Sequence, residues 1–411
     1  MCGIYGITTK NTEFIKNYMN VCSYRGPDYQ NIFENEYVTF GHNLLSITDK
    51  PDNGKQPWIT PKKNVLVYNG EIFNYYELCN KYKAFKPKTC CDTELLSWGL
   101  DNFGLKFIDE IDSMHAFAYY HVEKNKIFLS RDHVGIKPLF YSDLGGCLVF
   151  GSEIKGMKHI VPTSNFIDHM SLSCWSYCGL NVTKNTFFKG IYKVMPGETI
   201  EYDLKTKKLN SIKRDLVLGG EGKNYDEEEF IYVFDQSIKQ SLIGKRKFGI
   251  FLSGGLDSTM IAHHASKFKN IEAFTNKISP CPFDPNENYN SDFEEAVKYS
   301  KHNNLSQTVI DHSPNCYAKY WHSSEEALDE PMYNPNIPMY EQINKVMSEE
   351  KIVVTLSGDM GDEILCGYPK YFKRGLMPRF EHRDVVSQWI NYRLDVPPKI
   401  DGLKYSKDDV I

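Results

Sequence analysis

Apolar residues in the first half of the chain come in short runs cut by turn formers. The stretches "NVLVYNGEIF", "HAFAYYHV", "KIFLSRD", "PLFYSD" and "CLVFGSE" are each bounded by Gly, Asn, Asp or Pro, which is the punctuation of β-strands. Helical spacing is scarce there. Leu95, Leu96, Leu100 and Phe103, followed by Gly104, predict a helix over 93–104, so one or two helices are expected to cover a sheet. This half reads as α+β with stacked antiparallel sheets. Around 205–229 the texture turns polar and charged with a glycine cluster. The expected organisation is a domain over 1–210, a linker over 211–226 and a second domain over 227–411. Beyond the linker, Phe230, Phe234, Ile238 and Leu242 form one helical stripe behind an acidic first turn. Then follow a strand (248–252), a helix (257–268), a strand (271–275), a helix (291–302), a strand (305–310), two helical stretches and a strand (351–356). Strand and helix in alternation predict a parallel, doubly wound sheet.

Composition narrows the partners. With 411 residues, 41% of them hydrophobic, the chain can furnish more than one core. A net charge of −5 gives no basic field for a phosphate backbone, so no nucleic acid is expected and small molecules are. No run of about 18 apolar residues and no leader pattern occurs, which predicts a soluble, cytoplasmic protein without a membrane partner. The 11 cysteines lack C-x-x-C spacing and suit a reducing compartment. His263-His264 and Cys174/Cys178 do not have a spacing that closes a zinc site.

Three stretches carry chemistry. In "MCGIYGI", removal of Met1 would leave Cys2 with a thiol and a free α-amine on one residue, a nucleophile together with its base. After the strand "FGIFL" comes "SGGLDS", where Gly254 and Gly255 let backbone N–H groups approach an anion at a helix N-terminus and Ser253 and Ser258 add hydroxyls. Asp257 suits such a site only with Mg²⁺ between it and the phosphate oxygens. After the strand "KIVVTL" comes "SGDMGDEILCGY", whose Asp359, Asp362 and Glu363 stand where open α/β sheets bind ligands.

Together with "YRGPD" (24–28), "NGEIFNYYEL" (69–78), "CDTELL" (91–96), "LSRDHVGIKPLFY" (129–141) and "FGSEIK" (150–155), these motifs resemble the glutamine-hydrolysing asparagine synthetase family over about 1–372. The resemblance implies an N-terminal-nucleophile hydrolase fold followed by an ATP-pyrophosphatase domain. It implies Cys2 as the nucleophile on the glutamine amide, Asn69 and Gly70 as the oxyanion hole, and Glu71 and Asp92 on the substrate α-amine. Phe251, Leu252, Thr275 and Asn276 match the adenosine contacts, and Ser253, Gly254, Gly255, Asp257, Ser258, Ser357 and Gly358 the nucleotide loops. Asp359 would lie at the acyl-adenylate, and Asp257 and Asp362 would hold Mg²⁺. The implied reaction joins glutamine, aspartate and ATP: aspartate is activated as β-aspartyl-AMP and ammonia displaces AMP, having crossed a covered apolar passage. A homodimer is the implied assembly. Amidation of another carboxylate, or a non-catalytic nucleotide-binding regulator, are the alternatives.

Two departures stand out. In "GHNLLSI" (41–47), Leu44 takes the place of the family Arg that pairs with the glutamine α-carboxylate, which predicts weak glutamine affinity, a clamp from another residue, or use of free ammonia. Family members also continue well over a hundred residues past "GGY". Here the domain is short, so that either Lys370 or another Lys serves the acyl-adenylate or adenylation is impaired.

Overall fold

A computed structural model describes residues 1–214, 225–280, 288–332, 334–365 and 367. The chain divides into two units, the first holding residues 1–214 and the second the described residues from 225 onward. Most of the expected linker, and Lys370, lie outside the described residues.

The first unit has strands β1 (Gly3–Ile7), β2 (Tyr29–Glu34), β3 (Thr39–Leu44), β4 (Trp58–Ile59), β5 (Val65–Ile72) and β6 (Ser113–His121). They are followed by β7 (Lys126–Arg131), β8 (Phe140–Asp143), β9 (Leu148–Gly151), β10 (Tyr192–Lys193), β11 (Glu198–Asp203) and β12 (Leu209–Lys213). One sheet runs β10-β8-β9-β1-β3-β2 and the other β12-β11-β7-β6-β5-β4. Every pairing is antiparallel. Strand β12 runs to Lys213, into the segment expected as linker.

Alternation along the strands explains the layers. Val65, Val67, Ala116 and Ala118 face a core shared with Ile4, Phe40 and Phe150 of the first sheet. The intervening Leu66, Tyr68, Phe117 and Tyr119 face outward onto α3 (Asp92–Phe103) and α2 (Tyr75–Lys81). Both faces of these strands are therefore buried, and their sequences read as nearly unbroken apolar runs. Helix α1 (Thr12–Val21) covers the far side of the first sheet through Ile15, Tyr18 and Met19. Its N-terminus is fixed by the Asn11 side chain, which accepts from the Phe14 N–H at 3.0 Å. With α4 (His169–Cys178) the described residues of the unit hold four α-helices, more than the one or two expected. Helix α1 was hidden because the polar Lys16, Asn17 and Asn20 leave it only the short apolar stripe of Ile15, Tyr18 and Met19.

The second unit opens with α5 (Glu227–Ser241) and continues β13 (Lys247–Phe251), α6 (Leu256–Ser266), β14 (Ile271–Ile278), α7 (Ser291–His302) and β15 (Gln307–His312). Helices α8 (Pro314–Leu328) and α9 (Ile337–Glu349) lead to β16 (Ile352–Leu356) and the short α10 (Gly361–Leu365). The sheet is parallel, in the order β15-β14-β13-β16. Helices α5, α6 and α7 pack with Phe248, Ile250, Ile271 and Ala273, whereas α9 packs with Phe274 and Ile352. The sheet is doubly wound. The winding runs outward from β13 to β15 and then returns to the other side of β13, so the reversal lies between β13 and β16. That is where a crevice opens at the carboxyl ends of the strands. Among the described residues, no helix is long and apolar enough to cross a membrane.

Candidate functional site

In the first unit, β1 places Cys2 beside the end of β3, where the Leu45 N–H donates to the Cys2 Sγ at 3.3 Å. The backbone of Cys2 is anchored by the buried Arg25, whose Nε donates to the Cys2 carbonyl at 3.0 Å while its charge is met by Glu153 at 2.9 Å. Burial pushes the Cys2 thiol pKa up, and the Leu45 N–H, the N-terminal amine and Lys137 pull against it. The N-terminal amine, carried by Met1, is lowered to about 6, chiefly because it is desolvated. Removal of Met1 would put the amine on Cys2 itself, where an unprotonated α-amine could take the thiol proton.

Strand β5, which touches β1 and β3 across the sheet interface, carries Asn69, Gly70 and Glu71. Asn69 is 2% exposed, and its Nδ2 has no hydrogen-bond partner. A buried amide donor left unpaired is costly unless an acceptor arrives, as a developing oxyanion would. The strand is held in place from outside: the Tyr68 N–H donates to the Gln56 Oε1 at 2.6 Å, and the Gln56 Nε2 returns a bond to the Tyr68 carbonyl at 3.2 Å. The His42 Nε2 meets the same carbonyl at 3.2 Å, and burial lowers this imidazole to about 3, so it is neutral.

Glu71 and Asp92 are both buried. Asp92 opens α3 and accepts from the Tyr68 hydroxyl at 2.9 Å and from the Ile72 N–H at 3.1 Å. Desolvation raises both carboxyls, and for Glu71 the negative charge of Asp92 adds to it. Two carboxyls in one buried pocket make a place for a cation, and an ammonium group would relieve both effects. Leu44, 4% exposed at the end of β3, offers only an apolar wall.

The pair gives a prediction with a definite sign. A carboxyl raised in the folded state contributes stability below its unfolded pKa and loses it as pH rises through the folded value. Glu71→Gln is therefore expected to melt higher than the parent at about pH 8, with the gap closing below about pH 5. Thermal melts across pH check this, and an equal or lower melting temperature at the alkaline end would refute the buried repulsion.

In the second unit the "SGGLDS" loop joins β13 to α6. Ser258 is 4% exposed; its hydroxyl donates to the Gly255 carbonyl at 3.2 Å and receives the Ser253 N–H at 3.2 Å. It shapes the loop from within. Gly254 has a φ of +96° and sits against α7, where an added Cβ would lie 2.0 Å from the Asp292 carbonyl oxygen. The loop after β16 comes down on the same turn: a Cβ on Gly358 would lie 2.9 Å from the Ser258 nitrogen, and one on Gly361 would lie 2.5 Å from the Asp257 carboxyl carbon. Ser357, Gly358 and Asp362 are thus brought to Asp257 and Ser258, while Asp359 is exposed. Asp257 is raised by partial burial and by the charges of Asp362 and Glu363. This concentration of negative charge fits a cation carried in by a phosphate group. Among the described residues there is no cluster of three metal-ligating side chains. Mg²⁺ held by one or two carboxylates and substrate phosphates needs none. At the neighbouring strand ends, the Thr275 hydroxyl donates to the Leu252 carbonyl at 2.9 Å and Asn276 pairs with His312 at 2.8 Å, so the residues expected around adenosine are adjacent.

The motifs "YRGPD" and "LSRDHVGIKPLFY" contain three buried or anchoring residues, Arg25, Asp132 and Lys137, whose roles their sequence does not disclose. The signal was available only in part, because a charged residue inside a strand-rich segment reads as surface until its burial is known.

Residues 1–212 match the glutamine amidotransferase domain family, and residues 229–405 match the asparagine synthase family. The chain is 33% identical over 298 residues to the glutamine-hydrolysing asparagine synthetase 2 of Bacillus subtilis, covering 67% of this chain and 40% of that protein. It is 26% identical over 402 residues to asparagine synthetase 3 of the same organism, covering 90% of this chain and 63% of that protein. To the glutamine-hydrolysing asparagine synthetase B of Escherichia coli it is 25% identical over 410 residues, covering 94% of this chain and 68% of that protein.

Proposed function

The chain belongs to the glutamine-hydrolysing asparagine synthetase family, with an amidotransferase domain at 1–212 and a synthase domain at 229–405, and on that premise we propose that it uses ATP to amidate aspartate with ammonia from glutamine. The observation that carries this reading is the unpartnered, buried Asn69 amide on the strand that touches the Cys2 strand.

In this proposal the neutral Cys2 thiol attacks the side-chain carbonyl of glutamine and passes its proton to the N-terminal amine. The Asn69 Nδ2 and the Gly70 N–H donate to the oxyanion, each worth about 3 kcal/mol. The amine returns the proton to the departing ammonia, and water releases glutamate from the thioester. Glu71 and Asp92 hold the glutamine α-ammonium. In the second unit, the backbone of the turn at 253–255 receives the phosphates, and Phe251, Leu252, Thr275 and Asn276 receive adenosine. Asp257 and Asp362 would hold the Mg²⁺ that accompanies ATP, which would supply positive charge to offset that of the pyrophosphate. The aspartate carboxylate attacks the α-phosphorus near Asp359, and ammonia displaces AMP from the β-aspartyl adenylate. Ammonia must arrive unprotonated, because ammonium has no lone pair.

Incubation with ATP, Mg²⁺ and aspartate, with glutamine or ammonia as nitrogen source, is expected to yield asparagine, AMP and pyrophosphate in equal amounts by mass spectrometry. AMP release that is no faster with aspartate than without it would remove aspartate as the acceptor.

A further inference from the structure

The first unit holds a buried cation for which the reaction as described has no use. Lys137 is 7% exposed, and among the described residues its ammonium group makes no hydrogen bond or ion pair. Its backbone is fixed on both sides. The Lys137 N–H donates to the Asp132 Oδ2 at 3.0 Å, and the Lys137 carbonyl accepts from the Arg131 Nε at 2.8 Å. Asp132 also accepts from the Val134 N–H at 3.2 Å, the Ile136 N–H at 2.9 Å and the His115 N–H at 3.1 Å. His115 is the β6 residue directly opposite Gly70 in the ladder, so the turn that presents Lys137 is tied to the strand beside the proposed oxyanion hole.

The groups whose titration feels the Lys137 charge are the N-terminal amine, Cys2 and Glu71, which come from two different sheets and belong to one site. Burial lowers the Lys137 pKa, and the negative charges of Cys2, Asp132 and Glu71 oppose that. A buried ammonium with nearby negative charge but no direct ion pair among the described residues is held at a cost, which an anionic ligand group would offset.

Charge complementarity then identifies the ligand group. An amino acid bound through its side-chain amide presents one ammonium and one carboxylate. Glu71 and Asp92 answer the ammonium, and the position where the family has an arginine is the apolar Leu44. The buried Arg25 near Cys2 has its charge met by Glu153 and its Nε on the Cys2 carbonyl, which leaves its Nη2 without a hydrogen bond but its charge already balanced. We propose that Lys137 binds the α-carboxylate of the glutamine hydrolysed at Cys2. This rests on the glutaminase reading of the first unit and makes Lys137 a determinant of amino-acid specificity.

The test compares L-glutamine with 4-aminobutanamide, which is glutamine without its α-carboxylate, in the full-length chain. Lys137→Met is expected to raise KM for glutamine about tenfold to a hundredfold, the range spanned by a lost hydrogen bond to a charged group. Its kcat for glutamine, its KM for 4-aminobutanamide and the rate at which uncharged iodoacetamide alkylates Cys2 are each expected to stay within about threefold of the parent. Lys137→Arg is expected to keep the preference for glutamine, which guards against a folding artefact in the methionine variant.

An unchanged KM for glutamine in Lys137→Met, an equal rise for both substrates, or loss of the preference in Lys137→Arg would overturn the assignment. A fall in kcat and in Cys2 alkylation together would give Lys137 to the thiolate instead, and would overturn it too. If the parent hydrolyses no glutamine, the glutaminase reading fails and this inference with it. An active parent with an indifferent Lys137→Met loses this inference alone.

Discussion

Cys2→Ala is expected to lower glutamine-dependent asparagine formation by about 10³-fold or more, the scale of losing a covalent nucleophile, while the ammonia-dependent reaction stays within about twofold. The asymmetry follows from where the atoms lie. In the proposed reaction the Cys2 Sγ is the atom that bonds to the glutamine carbonyl, whereas every group assigned to ATP belongs to the second unit. Alanine keeps the β1 pairing with β3 and leaves the Arg25 bond to the residue 2 carbonyl in place, since both are main-chain features. A loss of activity would therefore not reflect a displaced strand. Asparagine synthesis followed with each nitrogen source separates the two half-reactions. Undiminished glutamine use in Cys2→Ala would end the proposed nucleophile, and intact-mass analysis finding Met1 retained throughout an active preparation would end the role of the amine.

The second unit was the more legible of the two in the sequence, and the reason is locality. Strand β13, its glycine turn and α6 lie within 247–266, so the proposed phosphate loop and the elements that aim it are contiguous. The stripe Phe230, Phe234, Ile238 is helix α5, and Ile238 is buried under it as its spacing requires. What could not be read was the strand order. That β16 pairs with β13 and brings Gly361 onto Asp257 depends on a contact across about a hundred residues, which no local pattern encodes.

In the first unit the antiparallel strands were readable from their runs and turns, but their pairing was not. Strand β1 lies between β3 and β9, whose residues are far apart in sequence. Asn69-Gly70 reads locally as a turn, yet it forms the middle of a long buried strand, because Gln56 and the β6 backbone supply the partners a turn would otherwise need. Lys137 was illegible for the opposite reason. A lysine is normally a surface residue, and only the carboxylate of Asp132, gathering four backbone N–H groups, folds its loop inward.

Gly254→Ala is expected to abolish ATP-dependent amidation and to destabilise the second unit by about 4 kcal/mol or more, the exceptional end of single substitutions. Two costs act together. A φ of +96° is strained for any residue with a Cβ, at roughly 1–3 kcal/mol. The new methyl would also stand 2.0 Å from the Asp292 carbonyl oxygen and 2.7 Å from the Ala296 nitrogen, both main-chain atoms of α7 that no rotamer change can move. Glutaminase activity at Cys2 is expected to persist, since nothing of that site lies on this sheet. Gly255→Ala is the control one residue away. Its φ of −68° suits alanine, and the nearest atom to its added Cβ is the Ser253 Oγ at 3.4 Å, an ordinary contact. The melting temperature should therefore hold, while a methyl placed where the N–H groups open to the phosphates should raise KM for ATP. Melts and ATP kinetics on the two variants separate a glycine needed for packing from one needed for the nucleotide. A normally stable Gly254→Ala would mean that α7 can yield, and an unchanged KM for ATP in Gly255→Ala would mean that the phosphates bind away from this turn.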